Sequence, residues 1–313
     1  MKDSLSTKNE EIDLKEFLKI LWGGKSVILV ATIIASIISV YIALSLTNIY
    51  RSTAILAPVS HQENGLGNLN TSQMGNIANL AGISLPQTSV DNTKLGIEVM
   101  KSRQFYSEFG LNDDVLVPLM ASKGWDISTN ELLIEESVYD LNKKQWVRDV
   151  SPPRSAAPSL QEAHEVFMSL FSVSQDPKTG FIHISIDHYS PYIAKEWLDR
   201  IILQINDTIR YKEINNAELS IQYLQEEING AQSSELKLGL YQLIQSHTEK
   251  KVLARATPEY IFEIIDPPLV PEIKIKPRRS SICIIGAIVG FMLGIFFVLI
   301  KHYFIKPYNI KKI

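Results

Sequence analysis

A single cysteine, Cys283, stands in the chain of 313 residues. No disulfide can form within it, so the fold is held by its apolar core alone. Charge of one sign is also lacking. The 31 Lys and Arg against 34 Asp and Glu leave a net charge of −3, too weak an overall field to grip nucleic acid. Patterns that carry chemistry are missing too. Gly24-Lys25-Ser26 imitates the end of a phosphate-binding loop, yet the position that needs that loop's first glycine holds Lys19. The six histidines form no metal-ligand set. His183 and His188 flank Asp187, but an odd spacing on a strand points them to opposite faces, so they read as part of a solvated strand face. Glu226-Glu227 and Glu135-Glu136 are adjacent pairs, which do not converge on a helix. Glycoside chemistry needs carboxylates facing each other across a substrate. No serine sits in a glycine-flanked nucleophile turn. The expectation is a chain that is no enzyme, with no cofactor and no metal.

What the chain has instead is two uncharged apolar runs, residues 27–46 and 280–300. Each is about twenty residues, which at about 1.5 Å per residue matches a hydrocarbon layer of roughly 30 Å. Cys283 lies in the second run and reads as a small lipid- or helix-facing residue. The first run is preceded by residues 1–26, a leader mixing Lys2, Lys8, Lys15, Lys19 and Lys25 with acids. The small-x-small triplet Ala43-Leu44-Ser45 sits inside the run, so it reads as an uncleaved anchor and not a signal peptide. Two spans place both termini on one side of a membrane and residues 47–279 on the other.

Lys15, Lys19 and Lys25 precede the first span, and Lys301, Lys306, Lys311 and Lys312 follow the second. This predicts cytoplasmic termini, although Lys274, Lys276, Arg278 and Arg279 cluster on the outer side. Trp22, Tyr303 and Phe304 suit the interfacial belts. Ile12 to Trp22 reads as an amphipathic helix leading into the membrane. The segment 301–313 has no room for a catalytic or signalling domain.

In the outer domain, Ile49 to Val59 alternates loosely and predicts a strand leaving the membrane. His61 to Gln87, rich in Gly, Asn, Ser and Gln, predicts a long loop. Asp91 to Phe109 carries Leu95, Val99 and Met100 at helical spacing and predicts one helix, with Asp91 placed to cap it and Gly110 to stop it. Leu132 to Trp146 is ambiguous. Phe171–Gln175 and Phe181–Asp187 flank an Asp-Pro-Lys-Thr-Gly turn, and Ile182, Ile184 and Ile186 alternate with polar residues, predicting a hairpin with one buried face. The Ile49 strand and Tyr260 to Ile265 are expected to join it. The fold class is α+β, with a small mixed sheet near the membrane.

The longest predicted element runs about 190–229. Ser190 is placed to cap and Pro191 suits the first helical position. Ala194, Trp197, Leu198, Ile201, Ile202, Ile205 and Ile209 make a broad apolar stripe. Ile214, Ala217, Ile221, Leu224 and Ile228 then narrow it to a coiled-coil-like seam. Forty residues of helix reach about 60 Å, so the helix is expected to project from the sheet. A narrow seam on a projecting helix needs a partner: a returning helix with Leu236, Leu240, Leu243 and Ile244, or a neighbouring subunit.

At the entrance to the second span, Pro267, Pro268 and Pro271, then Pro277-Arg278-Arg279, predict a stiff extended connector. Inside the span Gly286, Gly290 and Gly294 recur every fourth residue on one face, a pattern that lets helices approach closely.

These residues resemble the polysaccharide co-polymerases, specifically the Wzz-type O-antigen chain-length determinants without a kinase domain. The likeness rests on the lead IDLKEFLKILWGGK, the strand after the first span with Pro58, the segment EYIFEIIDPPLVPEIKIKP and the glycine-bearing second span. Pro268 and Pro271 fit the family's Pro-x-x-Pro element. Pro277 fits its Ser-Pro-Lys triplet, which reads Lys276-Pro277-Arg278 here. The resemblance implies a non-enzymatic regulator in a bacterial inner membrane, with a periplasmic main domain, assembled as a homo-oligomeric ring. It would set the modal length of lipopolysaccharide O-antigen made by a separate polymerase, with that polymerase and lipid-linked glycan as partners. A membrane adaptor of a polysaccharide exporter and a tethered periplasmic sugar-processing enzyme are the alternatives.

Overall fold

The structure is a computed structural model that describes residues 20–59, 92–230 and 233–302. The predicted lead helix before Ile20, the long loop, the capping role of Asp91 and the aromatic pair Tyr303 and Phe304 lie outside the described residues. The chain divides into two compact units, Met1–Asn48 with Ile275–Ile313, and Ile49–Lys274.

The first unit holds α1, Lys25–Ser45, and the final helix, Arg279–Ile300. They have 21 and 22 residues and are apolar enough to cross a membrane. Most of their large side chains, among them Ile33, Ile37, Phe291 and Phe296, face outward, the arrangement expected of helices whose solvent is lipid.

The second unit begins with β1, Ile49–Pro58. Next come three short helices, α2 (Asn92–Met100), α3 (Arg103–Gly110) and α4 (Asp113–Ala121). The single helix expected over Asp91 to Phe109 is thus two. Ser102 ends the first and caps the second, its side chain accepting from the Phe105 amide at 3.1 Å. That local bond turns the chain and lets Met100, Phe105, Tyr106 and Phe109 all be buried. α4 was not anticipated; Pro118 lies inside it and its apolar stretch is short.

Residues 122–146, which take in the ambiguous Leu132 to Trp146, fold as two small hairpins. β2 (Ser122–Asp126) pairs β3 (Glu131–Ile134), and β4 (Tyr139–Asp140) pairs β5 (Gln145–Trp146). The helix α5, Leu160–Leu170, is capped by Ser159, and its Glu162 grips Arg148 through both carboxylate oxygens, at 2.5 and 3.0 Å. The guanidinium holds the Glu162 carboxyl below the usual carboxylate range.

β6 (Phe171–Gln175) and β7 (Ile182–His188) form the expected hairpin. β7 also pairs β1, from Tyr50 opposite His188 to Leu56 opposite Ile182, and β1 pairs β8, Phe262–Asp266. The strands therefore lie in the order β6-β7-β1-β8. These three ladders are antiparallel. A short strand, β9 (Lys274–Lys276), follows the connector.

Across one face of the sheet lies α6, Pro191–Gly230, forty residues long. Its first half buries Ala194, Trp197, Leu198, Ile201, Ile202, Ile205 and Ile209 against Leu56, Ile182, Ile184 and Ile186 in the single large core. Burying a side chain of that size is worth about 1.5–3 kcal/mol, so this stripe fixes the helix to the sheet. α7, Ser234–Ala256, returns antiparallel along its second half. The final helix of the other unit is α8, Arg279–Ile300.

Buried polar groups tie the layers together. His188 was expected on a solvated face; it is 3% exposed. It lies edge-on to Trp197, with ring centroids 4.9 Å apart, and its Nδ1 accepts from the Ser190 amide at 3.0 Å. It shares the even-numbered face of β7 with Ile182, Ile184 and Ile186, and α6 covers that face. Burial pushes the His188 imidazole down to about 4, against about 6.5 in an unfolded chain. The folded state therefore holds it neutral. As pH falls from 6.5 towards 4 the unfolded chain takes up a proton that the folded chain does not. Stability should drop by up to about 1.4 kcal/mol per pH unit over that window, about 3 kcal/mol in all. Urea unfolding in mild detergent should show this slope, and His188→Gln should lack it. Asp187 beside it receives both Arg51 nitrogens, at 2.5 and 2.9 Å.

Candidate functional site

The second span's glycines meet the first span of the same chain. A Cβ on Gly286 would run into the Ser39 side chain, one on Gly290 would lie 3.1 Å from the Thr32 Cα, and one on Gly294 would lie 2.8 Å from the Ile28 Cα. Gly290, Gly294 and Val298 are buried on α8, and Ser39 and Ala43 on α1. The facing side is itself a four-residue repeat of small side chains, Ala31, Ala35, Ser39 and Ala43. This stripe hides among the Ile and Val of the run, and only its packing against the glycines marks it. At the top of the pair Arg279 donates to the Ala43 carbonyl at 3.1 Å and to the Asn48 side chain at 3.4 Å. A charged fork capping a last-turn carbonyl sets the register of the two helices. The glycine face is closed within one chain.

The connector prolines are not grouped into one site. Pro268 is buried and Pro271 half-buried, and the Ser52 hydroxyl donates to the Leu269 carbonyl at 2.9 Å, holding the segment along β1. Pro277 is half-buried and Arg278 exposed; Arg278 stands at the start of α8 with no side-chain cap bond.

On α6 the seam residue Ala217 is buried, while Ile214, Ile221, Leu224 and Ile228 are half-buried. α7 covers them, with Leu240 and Ile244 half-buried on its side. Near Ala217, Glu218 reaches Arg255 at 2.9 Å and Lys251 at 3.7 Å across the pair. Such bridges are exposed and worth under about 1 kcal/mol, so they set register more than stability. The other face carries Tyr211, Leu219 and Tyr223 on α6 and Leu238, Tyr241 and Val252 on α7, all exposed.

Two features escaped the sequence reading. Asn206 sits inside the apolar stripe, 4% exposed. Its side-chain oxygen accepts from the amides of Ile261 and Phe262 at 2.9 and 3.0 Å, and its nitrogen donates to the Phe262 carbonyl at 3.0 Å. It thereby welds α6 to the start of β8. A polar residue between Ile205 and Ile209 was the available signal. The second is the Arg51–Asp187 pair, which joins β1 to β7 across 136 positions.

Among the described residues no group of three or more His, Cys, Asp or Glu could hold a metal ion. The described residues hold two paired helices apolar enough to cross a membrane and, in the other unit, a sheet and a long helical hairpin with exposed apolar side chains.

Comparisons narrow the class. The family model described as Wzz, chain length determinant protein, matches residues 10–110, and that described as GNVR, G-rich domain on putative tyrosine kinase, matches residues 234–303. Among solved structures the chain is similar to a full-length bacterial polysaccharide co-polymerase, at 15% identity and a TM-score of 0.40, covering 96% of this chain and 100% of that one. It is also similar to a fragment of WzzB, a polysaccharide co-polymerase from Salmonella Typhimurium, at 15% identity and a TM-score of 0.30, covering 73% and 100%. No curated protein sequence matches. Residues 10–110 thus resemble a Wzz chain length determinant domain and residues 234–303 a GNVR domain.

Proposed function

We propose that this chain sets the modal length of lipopolysaccharide O-antigen, acting as a homo-oligomeric scaffold for a separate membrane polymerase and its lipid-linked glycan. It does so without chemistry of its own, in a bacterial inner membrane, with both termini cytoplasmic and the Ile49–Lys274 unit periplasmic. One observation carries the reading: the chain length determinant match runs through the first span into the sheet base of a unit bracketed by two span helices. The exposed Tyr and Leu side chains on the hairpin suit association between copies, since apolar side chains on a narrow two-helix arm have no other core to enter.

Lipopolysaccharide from cells with and without the gene, resolved on a gel, tests this. With the gene, band intensities should cluster about one length; without it they should decay smoothly. Identical ladders would refute the proposal. Ile221→Asp should broaden the cluster and weaken cross-linked oligomers, because it puts a charge in the half-buried seam of α6 and α7.

The GNVR match over residues 234–303 favours a second reading, an adaptor in polysaccharide export. That reading requires a stable outer-membrane partner to co-purify, and unchanged chain length in the deletion strain.

A further inference from the structure

One end of the Ile49–Lys274 unit is unlike the other. β1 starts there, at Ile49, and β7 ends there, with Tyr50 opposite His188. Tyr192, in the first turn of α6, is at the same end and is 51% exposed. Trp125 lies between them, its ring 5.7 Å from that of Tyr50 and 6.1 Å from that of Tyr192. Its indole N–H donates to Asn130 at 3.0 Å, so the ring has one polar and one apolar end. Two residues on, Ile127 occupies the turn between β2 and β3 and is 68% exposed. The connector after β8 arrives here too, since the Leu269 carbonyl is bonded to Ser52. It then presents Leu269, 68% exposed, and Ile273, 83% exposed. Three separate chain segments thus expose aromatic and aliphatic side chains at one end of the unit.

The tethers identify what meets them. Only Leu46, Thr47 and Asn48 separate the last residue of α1 from Ile49. An extended chain advances about 3.6 Å per residue at most, so Ile49 is held within about 14 Å of the span's end. Lys274 is held within about 18 Å of Arg279 by the same limit. Tryptophan and tyrosine with one wet end are the side chains that favour the headgroup layer.

We propose that this end of the unit is seated on the bilayer, with Trp125, Ile127, Tyr192, Leu269 and Ile273 in the headgroup layer of a lipid surface. The inference rests on the reading that α1 and α8 span the membrane. Seating at two tethers and a third, remote hairpin prevents the unit from swinging on its connectors.

Spin labels on the full-length protein in lipid nanodiscs, in a Cys283→Ser background, test it. Single cysteines replace Ile127 and Ile273. Phe181, at the opposite end of the sheet, and Leu238, on α7, serve as water controls, and Met292, inside α8, as the immersed control. All are exposed, so the labels disturb no packing. The expected result is a higher ratio of oxygen to nickel-chelate collisions at 127 and 273 than at 181 and 238, and below that at 292. A ratio at 127 equal to that at 181 overturns the proposal, even if 273 is immersed, because 127 is held by no tether. Shielding of 127 from both reagents indicates a protein partner there and also overturns it. A water-like ratio at 292 fails the spanning reading itself.

Discussion

Replacing Gly290 by leucine is expected to separate the two span helices and abolish chain-length control. The Cβ of any side chain at 290 meets the Ala35 methyl, the Ala31 carbonyl at 3.1 Å and the Thr32 Cα at 3.1 Å. The last two are backbone, which has no rotamer by which to retreat. A leucine therefore forces the helices apart along a seam built from glycines on one side and Ala31, Ala35, Ser39 and Ala43 on the other. Overpacking at such a site costs about 1–3 kcal/mol. In lipid no hydrophobic term restores the pair, because association there depends on close contact. Thermal unfolding in detergent should be lowered for Gly290→Leu and less so for Gly290→Ala. The lipid-facing change Ile288→Leu should match the parent. Banding of lipopolysaccharide should revert to a smooth decay for the leucine variant alone. A leucine variant with parental melting and parental banding would remove the seam from the account.

Replacing Asn206 by leucine should be the most destabilising single change in the sheet unit. It keeps the volume and raises hydrophobicity, so a core made only of apolar contacts would tolerate it. Here it leaves the amides of Ile261 and Phe262 and the Phe262 carbonyl without the bonds that Asn206 supplies. Each unsatisfied buried group costs about 1–3 kcal/mol, so the three together give a loss of roughly 3–9 kcal/mol. Asn206→Asp retains both acceptor bonds and should fall between. Urea unfolding followed by tryptophan emission reads the loss, since Trp197 is buried two and a half turns away on the same helix. Protease should cut first at β8 in the leucine variant, where the missing bonds lay.

The parts of this architecture governed by strong periodicity could be read from sequence. The β6–β7 hairpin follows from isoleucines at alternate positions around an Asp-Pro-Lys-Thr-Gly turn. The start of α6 follows from Ser190-Pro191, and its two-stage stripe follows from the spacing of its isoleucines. Elements set by a single residue against the trend could not. Ser102 breaks a helical pattern that Leu95, Val99 and Met100 otherwise continue. Pro118 disguises α4, and β2 to β5 are too short to show alternation. His188 obeys the alternation, on the face of Ile182, Ile184 and Ile186; Asp187 breaks it, buried in its pair with Arg51. Of the site residues, the glycines declared their face through their spacing. Their facing partners, and Asn206, needed the third dimension to be recognised.

α6 is continuous from Pro191 to Gly230, although only its first half is embedded in the core. From Asn206 to the tip is about 36 Å at 1.5 Å per residue. A tilt of 10° where Asn206 grips β8 would displace the tip by about 6 Å, more than one helical turn of travel. The helix thus acts as a pointer hinged where its apolar stripe and Asn206 meet the sheet. Small adjustments in the sheet are amplified at the distant end.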